Sequence, residues 1–338
     1  MLAVATVLLA SCGDGDAASQ DAPPETLAEV GGDLDRFTAY LGALPGVTDA
    51  TAEEVELDTD LYGWEAEVVL ADDAPSATVT TVLDAATHFE GSSSFDEGGD
   101  LRLAREGTEH RLWWKDTAVT GLADIFALAE EQLPELGWVL DHYGQMVFSP
   151  LDDLDAITEL AARIAGDRRL APHDLWLLTT SPYGLTGNEG DHALGTTTGI
   201  DAEVAAAWGD VAEAAGSLQH LELENLHLVP LVGPGNYVSD PPPEGSVGLS
   251  FQLGSDGTTR AGLETGAVGN ELHRLVESTV PALAGFPHGS TYSISVWVGE
   301  GDDVEEVRLV DLTSDAADDG GGGGTVAGHA HALLDQLD

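Results

Sequence analysis

The chain has 338 residues, with 61 Asp or Glu against 11 Lys or Arg, for a formal charge of −50 at pH 7. A field of that sign repels nucleic acid and anionic lipid headgroups, which argues against both as partners of the folded part. A single cysteine excludes an internal disulfide framework and a Cys-based zinc site, so stability rests on burial of the 43% apolar residues.

The first feature in chain order is an apolar run, Leu2 to Ala10. It is too short to cross a membrane, which takes ~20 residues, and has the length of a signal-peptide core. It ends in Leu9-Ala10-Ser11-Cys12, a leucine, two small residues and the only cysteine. This tetrapeptide resembles the lipobox of bacterial lipoproteins. The resemblance implies that residues 1–11 are removed as a signal peptide and that the Cys12 thiol carries a diacylglycerol. The mature chain would then sit on the extracytoplasmic face of the cell membrane, where two acyl chains anchor stably and one does not. No Lys or Arg precedes Cys12, and the expected start of translation therefore lies upstream of Met1. Residues 12–32 are small, polar and acidic and read as a flexible tether, with a reach of roughly 25 Å.

Folded elements begin with Leu34, Phe37, Leu41 and Leu44, one helical stripe that Pro45-Gly46 ends. Val47 to Leu57 and Trp64 to Leu70 read as strands, the second with Trp64, Ala66 and Val68 alternating. After Asp73-Ala74-Pro75 a second helix carries Val79, Val82, Leu83, Ala86 and Phe89 on one side. Leu101 to Trp114 reads as a hairpin around Glu106-Gly107. A helix with Leu122, Ile125, Phe126, Ala129 and Leu133 follows, with Gly137 as its expected C-terminal cap. One strand is expected over Trp138 to Phe148. Leu154, Ile157, Ala161 and Ile164 mark a helix stopped by Gly166.

Farther on, Leu175 to Thr179 is a short strand, and Ser181 to Gly199 reads as a loop. Asp201 caps a helix with Val204, Trp208 and Val211. Two strands flank the segment Gly233 to Gly245. A helix carries Val268, Leu272, Leu275 and Val276. Thr291 to Val298 and Val304 to Leu312 form a hairpin, and Thr325 to Leu337 a last helix after the glycine break at 320–324.

Hairpins mixed with single helices predict an α+β fold of antiparallel sheets with helices packed on one face. The helix–strand–strand–helix order of residues 33–89 resembles part of a ferredoxin-like module, without a cysteine pair to carry a metal function. Arg168 to His173 is the expected boundary between two halves, an α+β domain over 33–167 and a second over 168–338. No residue-level repeat is evident.

The acidic composition resembles that of proteins adapted to high salt, where a Debye length of ~3 Å at 1 M relieves self-repulsion. Its functional reading is weak, diffuse binding of divalent cations. G-x-S-x-G and H-E-x-x-H are absent, and Gly91 to Ser94 is a polar loop. His329 and His331 sit two apart and diverge on a helix. His220, Glu222 and Glu224 share a face if 218–228 is one strand, suiting a cation or simply the wet side of a sheet. Asp58, Asp60 and Gly63 begin like a calcium loop, but Val69 stands at its twelfth position. Gly299 to Glu306 brings carboxylates near a turn. The 320–324 glycines lack a lysine and follow Asp315, Asp318 and Asp319, so they read as linker. Trp113-Trp114 could stack on a ligand such as a sugar, but alternating faces put one indole in the core and the other outside or under a helix.

No catalytic residue, cofactor or metal is nominated, and Cys12, for lipid attachment, is the one assigned site residue. The expected function is that of a membrane-anchored lipoprotein acting as a non-catalytic binding module for an envelope protein or small ligand. The alternative is an extracellular hydrolase using paired carboxylates, a chemistry without a local signature.

Overall fold

A computed structural model describes residues 23–58, 61–89, 95–115, 121–141, 144–180, 190–231, 243, 245–256, 258–287, 289–299, 304–313 and 324–337. A helical turn α1 (Leu27–Val30) and helix α2 (Leu34–Gly42) lead into strands β1 (Val47–Asp58) and β2 (Leu61–Leu70). Helix α3 (Ser76–His88) then connects to β3 (Phe95–Arg105) and β4 (His110–Lys115), and α4 (Leu122–Gln132) to β5 (Trp138–Leu140) and β6 (Met146–Phe148). The same step recurs with α5 (Leu154–Ala165), β7 (Leu175–Leu178) and β8 (His192–Thr196), and with α6 (Ala202–Gly216), β9 (Glu222–Pro230) and β10 (Val247–Asp256). Helix α7 (Gly266–Thr279), between two 3-10 turns, leads to β11 (Thr291–Gly299) and β12 (Glu305–Thr313), and α8 (Thr325–Leu334) closes the chain.

Asp side chains start three of these helices. Asp33 accepts from the Arg36 amide, Asp153 from Ala156, and Asp201 from Glu203 and Val204. Each such cap satisfies otherwise orphaned amides and contributes about 1 kcal/mol.

All twelve strands among the described residues form one sheet in sequential order. This corrects the expectation of antiparallel sheets. Each hairpin step is antiparallel, but each step through a helix is parallel, as β2–β3, β4–β5, β6–β7, β8–β9 and β10–β11 show. The reason is geometric: a tight turn reverses the chain, whereas a helix-length crossover returns it to the end from which it left. The result is a hairpin-plus-helix unit met six times, without residue-level repetition. Across 168–173 the sheet is continuous, with Met146 opposite Leu175 and Phe148 opposite Leu177.

Every described helix packs on the same face. Register partners such as Ala66–Leu101–Trp114 and Leu194–Leu228–Leu249 belong to one core together with Phe37, Val82, Phe126, Ile157, Trp208, Leu272 and Ala330 from the helices. Phe37 stacks on Phe89 at 4.1 Å and meets Trp64 edge-on at 5.5 Å. Phe126 meets Trp138 edge-on at 5.1 Å. Trp114, Trp138 and Trp208 are fully buried, each removing 150–250 Å² from water at ~25 cal/mol per Å². The Tyr292 hydroxyl reaches the Thr279 hydroxyl at 2.8 Å, which satisfies both polar groups inside this layer.

Successive helical crossovers leave strands of opposite direction, yet move the same way across the sheet with their helices on one face. Their hands therefore alternate. Every second one departs from the right-handed preference of such connections.

Local boundaries differ from expectation at four places. Residues 27–30, read as tether, form a turn closed by a capping box, and Val30 is buried. Helix α4 ends at Gln132 with Leu133 as cap, so Gly137 is not its cap; instead it lies tight against Glu109 and the Ser149 carbonyl. Trp138 to Phe148 is two strands paired antiparallel, with Gly144 at a φ of 83° in the turn. Within the expected loop 181–199, His192–Thr196 is strand β8; a run of small residues hides a strand because Ala193 and Gly195 pack without large side chains.

Candidate functional site

The face of the sheet opposite the helices has its own side chains. In register across it run Ala104–Arg111–Val139–Val147–Trp176–Gly195. Beside this row runs a second, Thr51–Glu67–Arg102–Trp113. Val139, Val147, Leu178 and Ala193 are buried in a small cluster of their own, with Trp176 and Val229 packed around it. Three of the chain's Trp residues, Trp113, Trp176 and Trp297, lie half-buried on this face, while Trp64, Trp114, Trp138 and Trp208 belong to the helix-side core. The alternation expected for Trp113-Trp114 is therefore observed: Trp114 is 2% exposed and Trp113 faces the other way.

A shallow depression with about 20 Å³ of free space opens here, lined by Glu67, Arg102, Ala104, Arg111, Trp113 and Val139 among others. The Arg102 guanidinium lies 6.0 Å from the Trp113 ring centre and 3.5 Å from the Glu65 carboxylate. Lys115, next to it on β4, is 3.8 Å from Asp100. Three of the few cations in this chain thus gather on one patch of an otherwise acidic molecule.

The neighbouring ends of β5, β6 and β7 add a polar group. The Gln145 amide donates to Asp141 Oδ1 at 3.1 Å, and the Gln145 side chain donates to Asp174 Oδ2 at 3.3 Å. Burial pushes the Asp174 carboxyl up to about 6; the Asp141 charge adds to this, while the hydrogen bond from Gln145 works against it. A carboxyl that changes charge near neutrality, beside an indole, can hold or release a proton.

A third polar group occupies β8–β10. Asp191 is fully buried. Its Oδ1 accepts from the Thr180 hydroxyl at 2.8 Å, and its amide donates to Asn225 Oδ1 at 3.0 Å. Its carbonyl meets His227 Nε2 at 2.6 Å, and Asn225 donates onward to Gln252 at 2.5 Å. Burial lowers the pKa of both His192 and His227. These groups satisfy one another, so they order three strands and present no open valence.

Of the residues singled out from sequence, Cys12, Asp60, Gly91 to Ser94 and Gly320 to Gly323 lie outside the described residues, as do 300–303 of the acidic turn. His220 precedes β9 instead of sharing its face with Glu222 and Glu224; Glu271 draws it away, accepting from the Gln219 and His220 amides at 2.6 and 2.9 Å. Glu224 lies against Gly254 instead. His329 pairs with Glu277 and His331 with Asp335, both at 3.2 Å, so the two diverge as their spacing requires. Asp58 closes β1 opposite Leu61 in a hairpin end. Among the described residues no group of three or more His, Cys, Asp or Glu is placed to hold a metal ion, and no helix is long and apolar enough to cross a membrane.

Sequence reasoning passed over Glu67, Arg102, Arg111, Asp141, Gln145, Asp174 and Trp176. The only local signal was Trp113, whose partners come from three other strands, β2, β3 and β5. No family model matches this chain, and neither does any curated protein or solved structure.

Proposed function

We propose that the protein is an envelope lipoprotein, tethered through Cys12, whose folded part binds a ligand on the helix-free face of its sheet and performs no chemistry. The address rests on Leu9 to Cys12 at the end of an apolar run. The binding role rests on one observation above all, the pocket that joins Trp113, Arg102, Arg111 and Glu67 on a face no described helix covers. The acidic surface elsewhere takes divalent cations only weakly and diffusely.

Two measurements test this reading. Cys12→Ala should lose its acyl mass and move from the membrane to the soluble fraction; unchanged fractionation would end the lipoprotein reading. Capture of envelope material by the full chain should fall with Trp113→Ala, and unaltered capture would remove the pocket from the function.

The second reading is a hydrolase with paired carboxylates. It is favoured by Asp174, protonated up to about pH 6 within reach of the Asp141 charge, an arrangement that general acid–base catalysis uses. Asp174→Asn and Asp141→Asn should then each abolish turnover of a chromogenic glycoside panel, while leaving Trp113-dependent capture in place.

On architecture, the division near 168–173 and the ferredoxin-like reading of residues 33–89 are kept as proposals. The helix–strand–strand–helix order supports the second, and the unbroken sheet at 168–173 weighs against the first. Limited proteolysis decides the boundary: two stable fragments cut there would support separate halves.

A further inference from the structure

Helices α3 and α4 lie side by side on the sheet, and between them is a cleft with about 300 Å³ of free space. Small-molecule sites begin at about that volume. Thr80, Asp84 and Thr87 line the cleft from α3, the first turn of α4 lines it from the other side, and Leu83 and Trp114 are its apolar part. It lies on the helix side of the sheet, away from Trp113. Acceptors and donors are both free here. The Asp84 and Asp124 side chains are exposed, with no ion-pair or hydrogen-bond partner among the described residues. The Thr87 hydroxyl donates to the Leu83 carbonyl at 2.9 Å and keeps its lone pairs. Gly121 starts α4 at a φ of 94° without a side-chain cap among the described residues, so the amides of the next two residues, Leu122 and Ala123, are left as donors.

Charge narrows what fits. An anion meets two carboxylates on a molecule carrying −50. A cation suits the carboxylates, but the positive end of α4 opposes it and the two amides stay unused. A neutral compound with several hydroxyls uses every group, because each hydroxyl both donates and accepts. We propose that the cleft binds a small neutral polyhydroxyl compound of the monosaccharide class, at a site separate from the helix-free face. Hydroxyls on one side of the sugar donate to Asp84 and Asp124, and others accept from the Leu122 and Ala123 amides. Its C–H groups lie over Leu83 and Trp114.

The test is ligand-observed NMR titration of the full chain with D-glucose, D-galactose, D-mannose and D-xylose, in about 0.1 M and about 2 M salt. The expected result is saturable binding of at least one sugar, changed less than about twofold by salt, which screens charges and not neutral contacts. Asp84→Ala and Asp124→Ala should each weaken it about tenfold, the loss of a hydrogen bond to a charged group. Thr80→Trp should abolish it by filling the cleft, and Trp113→Ala should leave it unchanged. The α3 and α4 positions substituted are exposed, so thermal melts of those variants should match the parent. Absence of saturable binding into the tens of millimolar overturns the inference. So does 1,4-diaminobutane binding more tightly than every sugar, or a tenfold loss of sugar binding in about 2 M salt, since both mark a cation site. Sugar binding lost in Trp113→Ala and kept in Thr80→Trp would also overturn it, while leaving the binding-module reading in place. That reading fails on a different result, envelope capture indifferent to Trp113→Ala, so the two failures can be told apart.

Discussion

Trp64 and Trp176 cover glycines on opposite faces of the same sheet. Trp64 lies across Gly99, its register partner on β3, beneath α2 and the end of α3. Trp176 lies across Gly195, its partner on β8, on the face without helices. In both pairs a large ring fills the space its glycine leaves, a known way of fixing strand register. The surroundings differ. Trp64 is 3% exposed and packed by Phe37, Phe89 and Trp114. Trp176 is half-buried among valines and beside Asp174. One indole closes a core; the other is left for contact with something else.

The largest expected effect separates the two directly. Trp64→Ala should cost ~3–5 kcal/mol, the usual penalty for emptying a large aromatic site in a packed core. Trp176→Ala should cost about 1–2 kcal/mol, since less surface is lost. Chemical denaturation measures both, and equal losses would mean that the helix-free face is as closed as the other.

A smaller difference lies in the glycines. An added methyl at Gly99 would run into the Trp64 ring, which is walled in, and should cost about 1–3 kcal/mol. At Gly195 the methyl would come within 2.8 Å of Trp176, whose ring has room to swing outward. Gly195→Ala should therefore be the milder change; the opposite order would break the comparison.

Smaller still is a pH effect confined to one face. The Asp174 carboxyl is raised from 3.8 to about 6 in the folded protein. An acid with a raised folded pKa binds more protons folded than unfolded across that interval. Its contribution is fully favourable below about pH 4 and is lost as pH climbs through about 6. Asp174→Asn should match the parent at pH 4 and melt increasingly above it between pH 4 and 7. A constant offset would show that the carboxyl titrates normally.

Salt should distinguish the faces least. Raising it from about 0.1 to about 2 M screens a charge spread over the whole surface. Melting temperature should rise by similar amounts in the parent, Trp64→Ala and Trp176→Ala. A flat profile in the parent would remove self-repulsion as a factor in stability.

Much of the helix layer was legible. Leu34, Phe37 and Leu41 spell out α2, and Leu154, Ile157, Ala161 and Ile164 spell out α5, because a helix writes its buried face at a fixed local period. Alternation likewise put Trp113 and Trp114 on opposite faces. Alternation reports which side a residue faces but not which strand lies next to it, so parallel neighbours and the single sheet stayed hidden. The three-residue strands β5 and β6 are too short for any period, and they merged into one. The site was illegible for a related reason. Glu67, Arg111 and Val139 come to one patch only through register across successive strands, and nothing in their spacing along the chain records it.

The strictly sequential strand order bears on how the chain comes into being. Every strand finds its partner in the strand just before it or just after it, so contacts close over short spans and the entropy lost in bringing distant segments together stays small. A polypeptide emerging N-terminus first would always have the preceding edge ready when the next hairpin arrived. Such a molecule can assemble by accretion, one layer after another, with no need to hold an early strand open for a late one.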